Sequence, residues 1–359
     1  MDNQQKTLEV SPRLETQHSM LRRCTNWDYR GRGIYMFTLT TIDRTPLLGE
    51  LKGKVENAYI ELTDIGKKAA SSVEEIASFY PQIRVLCKQV MPDHIHFLLF
   101  VEEPLPVHIG KVIRGFKIGT TRDYKSRAQN TDDHTKQEVL CARHFQCRET
   151  LWNEGYHDRI LFHDGQLDTM IRYIKDNPRR LWLKRANPDI FRIHQQTPIA
   201  GVTCTTLGNM FLYEHPLKAP LQCSRTLTQT EIDTRKNECL AQAANGTVFV
   251  SPAVSEGEKQ ICRALREAGY PLIILLENGF PSPDSPHYRY FKPSGVYFEA
   301  CAAGKLLLIE PSPALFDRPD IEAAVYAKTG IPDLPHDAKR YRFVALNALA
   351  ADIASYILA

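Results

Sequence analysis

The sequence predicts a protein of the α+β class, a ferredoxin-like split βαβ sandwich followed by a separate α/β domain with a parallel sheet. In the first half, strand and helix patterns follow one another in the order β-α-β-β-α-β-α. A two-residue link, Pro92-Asp93, makes two of these strands an antiparallel hairpin. In the second half, short runs that are apolar at every position are typical of parallel strands covered on both faces.

Each element of the first half has its own local signal. Aromatic and β-branched residues favour strands at 34–41, 83–91, 94–101 and 157–162, and apolar residues at helical spacing favour helices at 61–78, 107–124 and 164–177. In this order of elements, the helices are expected to cover one face of an antiparallel sheet. The polar stretches 1–30 and 126–140 are expected to form a loose N-terminal arm and an exposed loop.

The second half follows a stretch that contains Pro and Gly. We predict a linker at residues 193–206, between a first domain at 31–192 and a second at 207–359. The second domain has predicted strands at 247–251, 271–277 and 305–310. Ser255 and Glu258 form an S-x-x-E capping box at a helix start. A final helix is indicated by the apolar residues Phe343, Leu346, Leu349, Ile353 and Ile357.

The composition is that of an ordinary globular protein. Hydrophobic residues make up 43% and charged residues 24% of the 359 positions, and the formal net charge is +3. No apolar run is long enough to cross a bilayer, and the N-terminal residues lack the apolar core of a secretory signal. Nine cysteines without a CxxC pair argue against a disulfide framework. These observations predict a cytoplasmic protein with no membrane partner.

Two histidines stand out in the stretch "MPDHIHFLLF". In a strand, residues i and i+2 face the same way, so His94 and His96 project side by side, about 6–7 Å apart along the strand. At that separation they can share one cation. Burying two imidazoles without partners costs about a few kcal/mol each, so something must compensate. The alternative is a pair of core histidines satisfied by backbone carbonyls.

A tyrosine and an asparagine mark the last helix of the first half. The buried stripe of this helix is formed by Leu167, Met170, Ile171 and Ile174. Tyr173 lies beside that stripe, and Asn177 follows four residues later on the same side. Because Pro178 disfavours helical geometry at Asn177, the helix is expected to end or kink there. The alternative for Tyr173 is a packed ring with a solvated hydroxyl.

The three segments "MPDHIH", "LWNEGYHDRIL" and "YIKDNP", in that order, resemble the single-tyrosine HUH transposases, in particular the REP-associated tyrosine transposase branch. The resemblance covers roughly residues 30 to 190. It implies metal ligation by His94, His96 and Asn177, with Mg²⁺ or Mn²⁺ as cofactor, and a nucleophilic Tyr173. It also implies single-stranded or hairpin DNA as the partner, and a 5′-phosphotyrosine intermediate with a free 3′-hydroxyl. On softness grounds the nitrogen ligands favour Mn²⁺ over Mg²⁺.

Basic residues on two helices are candidate DNA contacts. Cations with an interleaved aromatic residue suit a nucleic-acid backbone and a stacked base. The candidates are Lys111, Arg114, Lys117, Arg122 and Lys125 on one helix, and Arg179, Arg180, Trp182, Lys184 and Arg185 after the tyrosine. The alternative is that these cations solvate a helix face and that Trp182 belongs to the core.

The second domain resembles, over one strand–helix–strand stretch, the Rossmann-like fold of DprA-like DNA-processing proteins. The start of a helix after a strand can hold a phosphate. Ser251, Ser255 and Gly257 are therefore candidate phosphate-binding residues. The alternative is a structural α/β domain without a ligand.

The first half leaves three functions to compare. The first is a strand transferase, a transposase that forms a covalent tyrosine adduct with DNA. The second is a catalytically silent regulatory protein that binds hairpin DNA, and the third is a metal-dependent hydrolase without a covalent stage. The resemblance favours the first, and it is compatible with either a monomer or a homodimer.

Overall fold

A computed structural model describes residues 27–129, 150–163, 165–277, 280 and 295–355. The chain divides into two compact units, Met1–Trp182 and Leu183–Ala359. Most of the predicted N-terminal arm and of the predicted loop at 126–140 lies outside the described residues. Within them, no helix combines the length and the hydropathy needed to cross a membrane.

The first unit is built around a four-stranded antiparallel sheet. Its elements are β1 (Gly33–Thr40), β2 (Gly49–Lys52), β3 (Tyr59–Leu62), α1 (Asp64–Phe79), β4 (Ile83–Met91), β5 (His94–Val101), α2 (Ile109–Gln129), β6 (His157–Leu161) and α3 (Gln166–Ala186). The strand order of the sheet is β4-β5-β1-β6, and β2 and β3 form a small separate hairpin. The predicted β-α-β-β-α-β-α series is therefore present, and β2 and β3 are added to it.

Helices cover both faces of this sheet, whereas the sequence predicted one covered face. Ile95, Phe97 and Leu99 of β5 pack with α1 and α2 in one cluster. Leu98 points the other way and packs with Met170 of α3. The physical reason is that the other face of the sheet also carries apolar residues, Met36, Cys87 and Leu98, which need their own cover. The His pair lies on the α3 side, because His94, His96 and Leu98 share one face of the pleat.

Helix α3 continues through Pro178 to Ala186, so the helix does not end at Asn177. Pro178 has no backbone N–H to donate to the carbonyl of Ile174. The side-chain Nδ2 of Asn177 donates instead to the carbonyls of Ile174, at 3.2 Å, and of Tyr173, at 2.8 Å. One side chain thus compensates for the missing donor, and the helix is not interrupted.

The second unit contains a six-stranded mixed sheet. The elements are β7 (His194–Ile199), β8 (Val202–Gly208), β9 (Lys218–Pro220), α4 (Gln229–Ala244), β10 (Val248–Ser251), α5 (Glu256–Glu267), β11 (Leu272–Leu275), α6 (Val296–Ala302), β12 (Leu306–Pro311), α7 (Pro319–Thr329) and α8 (Lys339–Ser355). The strand order of the sheet is β7-β8-β12-β11-β10-β9. Strands β9 to β12 are parallel, while β8 is antiparallel to β12 and β7 is antiparallel to β8.

The predicted linker at 193–206 is instead mostly strand. Strands β7 and β8 make a hairpin that extends the sheet from β12. The Ala200-Gly201 pair, which suggested a linker, forms the turn, and both residues have positive φ. The predicted final helix is α8, in which Leu346, Leu349 and Ile353 are fully buried. Ile357 lies outside the described residues.

The parallel strands of the second unit follow one another in sequence from β9 to β12. Right-handed crossovers that always step in one direction put their helices on one face, and α4, α5 and α6 share one cluster there. Helices α7 and α8 pack with the other cluster. The strand order does not reverse within β9–β12, so this sheet lacks the crevice at which doubly wound sheets bind ligands.

Candidate active site

Two imidazoles lie side by side on the sheet face that α3 covers. The ring centroids of His94 and His96 are 4.7 Å apart, with an angle of 79° between the ring planes. His96 is buried, with 6% of its surface exposed, and His94 is half-buried. The pleat of β5 therefore places them next to each other, as the H-x-H spacing predicted.

Each imidazole has a side-chain partner at its Nδ1 atom. His94 Nδ1 lies 2.6 Å from Oδ1 of Asp93, and His96 Nδ1 lies 2.7 Å from Oγ1 of Thr38. The alternative of histidines satisfied by backbone carbonyls thus does not describe these contacts. In both rings Nε2 is the nitrogen that remains for a cation, the arrangement in which a metal-binding histidine is oriented through its other nitrogen.

The surroundings favour a neutral His96. Burial, with the positive charge of His94 as a smaller cause, lowers the pKa of His96 to about 3. A neutral imidazole has a lone pair, which a metal ion requires. Asp93 behaves in the opposite way. Burial would raise its pKa, but the hydrogen bond with His94 and the charges of His94 and Arg44 hold it below its usual value.

Tyr173 faces this histidine pair from α3. Its ring centroid is 6.1 Å from that of His96, with an angle of 60° between the planes. The guanidinium carbon of Arg180 lies 5.4 Å from the centroid of the Tyr173 ring. Arg180 is a buried charged residue, and its contact with the ring supports the phenol on the side of the helix that points to the sheet. His96 and Tyr173, which are 77 positions apart in the sequence, thus meet at one place.

The predicted ligands are of the residue types that bind divalent cations. Asn177 lies one turn after Tyr173, and its Nδ2 atom is bonded to its own helix, which leaves Oδ1 as its ligand atom. Across the part of the chain that the structure describes, no three side chains of His, Cys, Asp or Glu are grouped as metal ligands. Two imidazole nitrogens and one amide oxygen are the candidate donors, and three protein ligands would leave positions for phosphate oxygens and water.

The basic residues of α2 lie on the opposite face of the sheet from the His pair. An open cleft of about 540 Å³ is lined by Tyr156, Thr150 and four of these residues, Arg114, Lys117, Arg122 and Lys125. Lys111, Arg114, Arg122 and Lys125 are exposed. Lys117 is half-buried, and its Nζ donates to the carbonyls of Asn153, at 2.7 Å, and Gly155, at 3.0 Å. Lys117 therefore holds the chain before β6, which does not favour the DNA contact expected from the sequence.

Replacing Lys117 with methionine is expected to destabilise the first unit by about 1–3 kcal/mol, because two carbonyls lose a charged donor. All three tryptophans, Trp27, Trp152 and Trp182, belong to that unit, so tryptophan fluorescence in a urea titration measures its unfolding. Arg122→Met, on the same helix but exposed, is the matched control and should leave the midpoint unchanged. Equal midpoints for the two variants would contradict the internal role of Lys117.

The basic residues after Tyr173 differ from one another. Arg179 makes a two-point ion pair with Asp176, at 2.6 and 3.0 Å, and Arg180 is buried against Tyr173. Trp182 is half-buried and Arg185 is exposed. Lys184, in the second unit, lies with its Nζ 5.9 Å from the centroid of the Phe298 ring. Of this group, Lys184 and Arg185 have the exposure that a phosphate contact needs.

Sequence reasoning missed three residues around the site, Thr38, Asp93 and Arg180. Thr38 is the direct cross-strand partner of His96 in the β1–β5 pairing, a relation that only the register provides. Asp93 directly precedes His94, so its position in "MPDHIH" was an available signal. Arg180 was assigned to DNA, because its spacing of seven residues from Tyr173 was not used.

The N-terminus of α5 in the second unit is occupied by a side chain of the protein, that of Glu258. The Glu258 carboxylate accepts from the backbone N–H groups of Val254, Ser255 and Cys223 at 2.7, 3.2 and 3.3 Å. Ser255 caps the helix by accepting from Glu258 N. Ser251 is fully buried, and its Oγ accepts from Ala253 N. A buried carboxylate thus takes the position expected for a phosphate.

Gly257 has a packing role at the same place. A Cβ atom added to it would lie 2.3 Å from Sγ of Cys223. The glycine therefore permits a close approach between α5 and the chain after β9, and it does not open a space for a ligand. These contacts argue against phosphate binding by Ser251, Ser255 and Gly257.

Comparisons with known proteins bear on the first unit. Residues 54–177 match the family model described as "Transposase IS200 like". An uncharacterized protein of Haemophilus influenzae is 23% identical over 181 residues, which are 45% of this chain and 88% of that protein. A solved REP-associated tyrosine transposase bound to a REP hairpin is 14% identical, with coverage of 45% of this chain and 76% of that chain and a TM-score of 0.28. The residues matched by the family model include His94, His96, Tyr173 and Asn177.

Proposed function

We propose that the first unit, whose residues 54–177 match the family model described as "Transposase IS200 like", cuts and rejoins single-stranded DNA near hairpins, with Tyr173 as its covalent nucleophile. The observation that carries the proposal is the placement of the Tyr173 ring 6.1 Å from His96, beside a pair of imidazoles. A phenol close to a cation-binding donor set is the arrangement that attack on a phosphodiester requires.

In the proposed reaction Tyr173 provides the attacking oxygen. Its Oη atom forms a bond to phosphorus and loses its proton, while the bond from phosphorus to the 3′ oxygen breaks. The departing oxygen takes up a proton and becomes a free 3′-hydroxyl. The 5′ end stays on the enzyme as a phosphotyrosine. Attack by a 3′-hydroxyl on that adduct reverses the step, so rejoining needs no external energy source.

The residues around Tyr173 position the phosphate for this step. When Mg²⁺ or Mn²⁺ is held by His94, His96 and Asn177, it draws charge from the non-bridging oxygens of the phosphate. Thr38 and Asp93 orient the two imidazoles through Nδ1. Arg180 packs against the Tyr173 ring and limits its rotation.

The direct test is an adduct assay. The full chain is incubated with Mg²⁺ or Mn²⁺ and a single-stranded oligonucleotide that carries a hairpin and a label at its 3′ end. The proposal predicts a labelled protein band that survives denaturing electrophoresis, together with an unlabelled fragment that ends in a 3′-hydroxyl. Release of both fragments without a protein-bound stage would favour the hydrolase, and binding without cleavage would favour the silent regulator.

The exposed cations of α2 are proposed to contact the DNA backbone. Changing Arg114 and Arg122 together to glutamate is expected to weaken binding of single-stranded DNA at least tenfold. Each lost phosphate contact also lowers the slope of log affinity against log salt by about 0.7. Fluorescence anisotropy over a range of salt concentrations measures both quantities. Arg340→Glu, an exposed site in the second unit, is the control. An unchanged salt slope in the double variant would exclude the α2 contacts.

A further inference from the structure

In the turn before the histidine pair, the Asp93 carboxylate is hydrogen-bonded to one ring nitrogen of His94. We propose that Asp93 is a positioning residue that holds His94 in the tautomer with the proton on Nδ1 and the lone pair on Nε2, and that loop 41–45 holds Asp93 in place. The purpose of this arrangement rests on the proposed function, since an oriented Nε2 is useful only if His94 binds a cation. The arrangement itself follows from the contacts of Asp93 with His94, Arg44 and Thr41.

Both oxygens of the Asp93 carboxylate are engaged. Oδ1 lies 2.6 Å from His94 Nδ1, and Oδ2 lies 3.2 Å from Nη1 of Arg44. An ionised carboxylate only accepts hydrogen bonds, so the proton between Asp93 and His94 must belong to Nδ1. A second bond to Arg44 stops the carboxylate from rotating away. Asp93 orients the histidine from behind and is not itself grouped with the imidazoles as a ligand among the described residues.

The backbone at Asp93 is fixed independently of its side chain. The Asp93 carbonyl accepts from both the N–H and the hydroxyl of Thr41, each at 2.9 Å. The preceding carbonyl, that of Pro92, accepts from Leu48 N at 2.9 Å. A substitution of the Asp93 side chain should therefore leave the turn in place and change only the contacts with His94 and Arg44.

The loop that carries Arg44 is held in an unusual conformation. Asp43 and Arg44 are consecutive residues with φ of 48° and 53°, in the left-handed region that costs a residue other than glycine about 1 kcal/mol or more. Ile42 N donates to the Leu151 carbonyl at 3.0 Å, and Asp43 N donates to Oδ1 of Asn153 at 3.2 Å. These contacts compensate for the strain and aim Arg44 at Asp93.

Asn153 is itself tied to the strand next to β5. Its backbone N donates to the Thr40 carbonyl at 2.9 Å, and its Nδ2 donates to Thr40 Oγ1 at 3.1 Å. The segment "LWNEGY" therefore has a structural role, because Leu151 and Asn153 accept hydrogen bonds from the strained loop. The order of contacts runs from Asn153 through the loop to Arg44, then to Asp93 and His94.

The second imidazole, that of His96, has a different kind of partner at Nδ1. His96 Nδ1 meets the Thr38 hydroxyl, which can either donate or accept. A hydroxyl orients the ring but leaves its tautomer open, whereas a carboxylate selects one tautomer. The proposal therefore applies to His94 and makes a different prediction for the two rings.

The test is nitrogen-15 NMR of the imidazoles in the full chain, without metal and slightly above neutral pH. The expected result is a His94 ring protonated at Nδ1. Asp93→Asn, which keeps an acceptor oxygen, should retain much of this signature. Asp93→Ala should shift His94 toward protonation at Nε2. Glu102→Gln, which removes an exposed carboxylate paired with Arg84, is the matched control and should change nothing. A wild-type His94 protonated at Nε2, or an unchanged tautomer in Asp93→Ala, would overturn the proposal.

A second measurement separates this proposal from the proposed function. Mn²⁺ binding, followed by electron paramagnetic resonance, is expected to weaken about 10–100-fold in Asp93→Ala, with an unchanged urea midpoint by tryptophan fluorescence. If the tautomer shifts as expected but the wild-type chain binds no Mn²⁺ and forms no adduct, the positioning role stands and the proposed function fails. A full-strength Mn²⁺ site in Asp93→Ala would count against the positioning role.

Discussion

Replacing Tyr173 with phenylalanine is expected to abolish the covalent protein–DNA adduct, with a loss of at least about 10³-fold in the rate of cleavage. The ring would stay in its place between His96 and Arg180, because phenylalanine keeps the same packing contacts. The oxygen that attacks phosphorus would be missing. DNA affinity, measured by fluorescence anisotropy, should change less than about threefold, since the basic surfaces are untouched.

The control for this variant is Tyr59→Phe, an exposed tyrosine on β3 in the same unit. It should form the adduct at the wild-type rate. An adduct that persists in Tyr173→Phe would exclude Tyr173 as the nucleophile. Peptide mapping of the labelled wild-type adduct gives an independent answer, because the modified peptide should contain Tyr173.

Replacing His96 with alanine is expected to remove Mn²⁺ binding and to lower adduct formation by about 10²-fold or more. This imidazole is buried, its pKa is lowered to about 3, and its ring is in contact distance of both His94 and Tyr173. Its loss removes one of three proposed cation donors, and an amide and a single imidazole form a weak site. Calorimetry with Mn²⁺ and the adduct assay measure the two effects.

His163→Ala, an exposed histidine just after β6, is the control for this change. It should leave both metal binding and the adduct intact. Tryptophan fluorescence shows whether the first unit of each variant is folded. A folded His96→Ala that still binds Mn²⁺ with wild-type affinity would rule out the proposed ligand set.

The sequence was informative where local spacing determines geometry. The H-x-H spacing in a strand placed His94 and His96 on one face, and the four-residue interval in a helix placed Asn177 one turn beyond Tyr173. These relations depend only on the period of the element that carries them. The strand–helix order of the first half was predictable for the same reason, since each element has its own apolar pattern.

The sequence was less informative where distant residues decide. Lys117 looked like one cation among several, because its carbonyl partners at Asn153 and Gly155 lie more than 30 positions away. Gly257 looked like a phosphate-binding glycine until its contact with Cys223 was known. Pro178 was taken to disrupt the helix, because a proline lacks a backbone N–H. The compensating hydrogen bonds from the Asn177 side chain could not be predicted from the proline alone.

The placement of α2 and α3 on opposite faces of one sheet sets a lower limit on the length of a useful substrate. Packed layers are about 10 Å apart, so the exposed α2 cations and Tyr173 are separated by the thickness of the sheet and its covering helix. A nucleic acid that touches both must pass around a side edge of the sheet, at β4 or β6, or around the ends of its strands. Short oligonucleotides can therefore reach one contact surface at a time, and affinity and cleavage should rise together only above a threshold number of nucleotides.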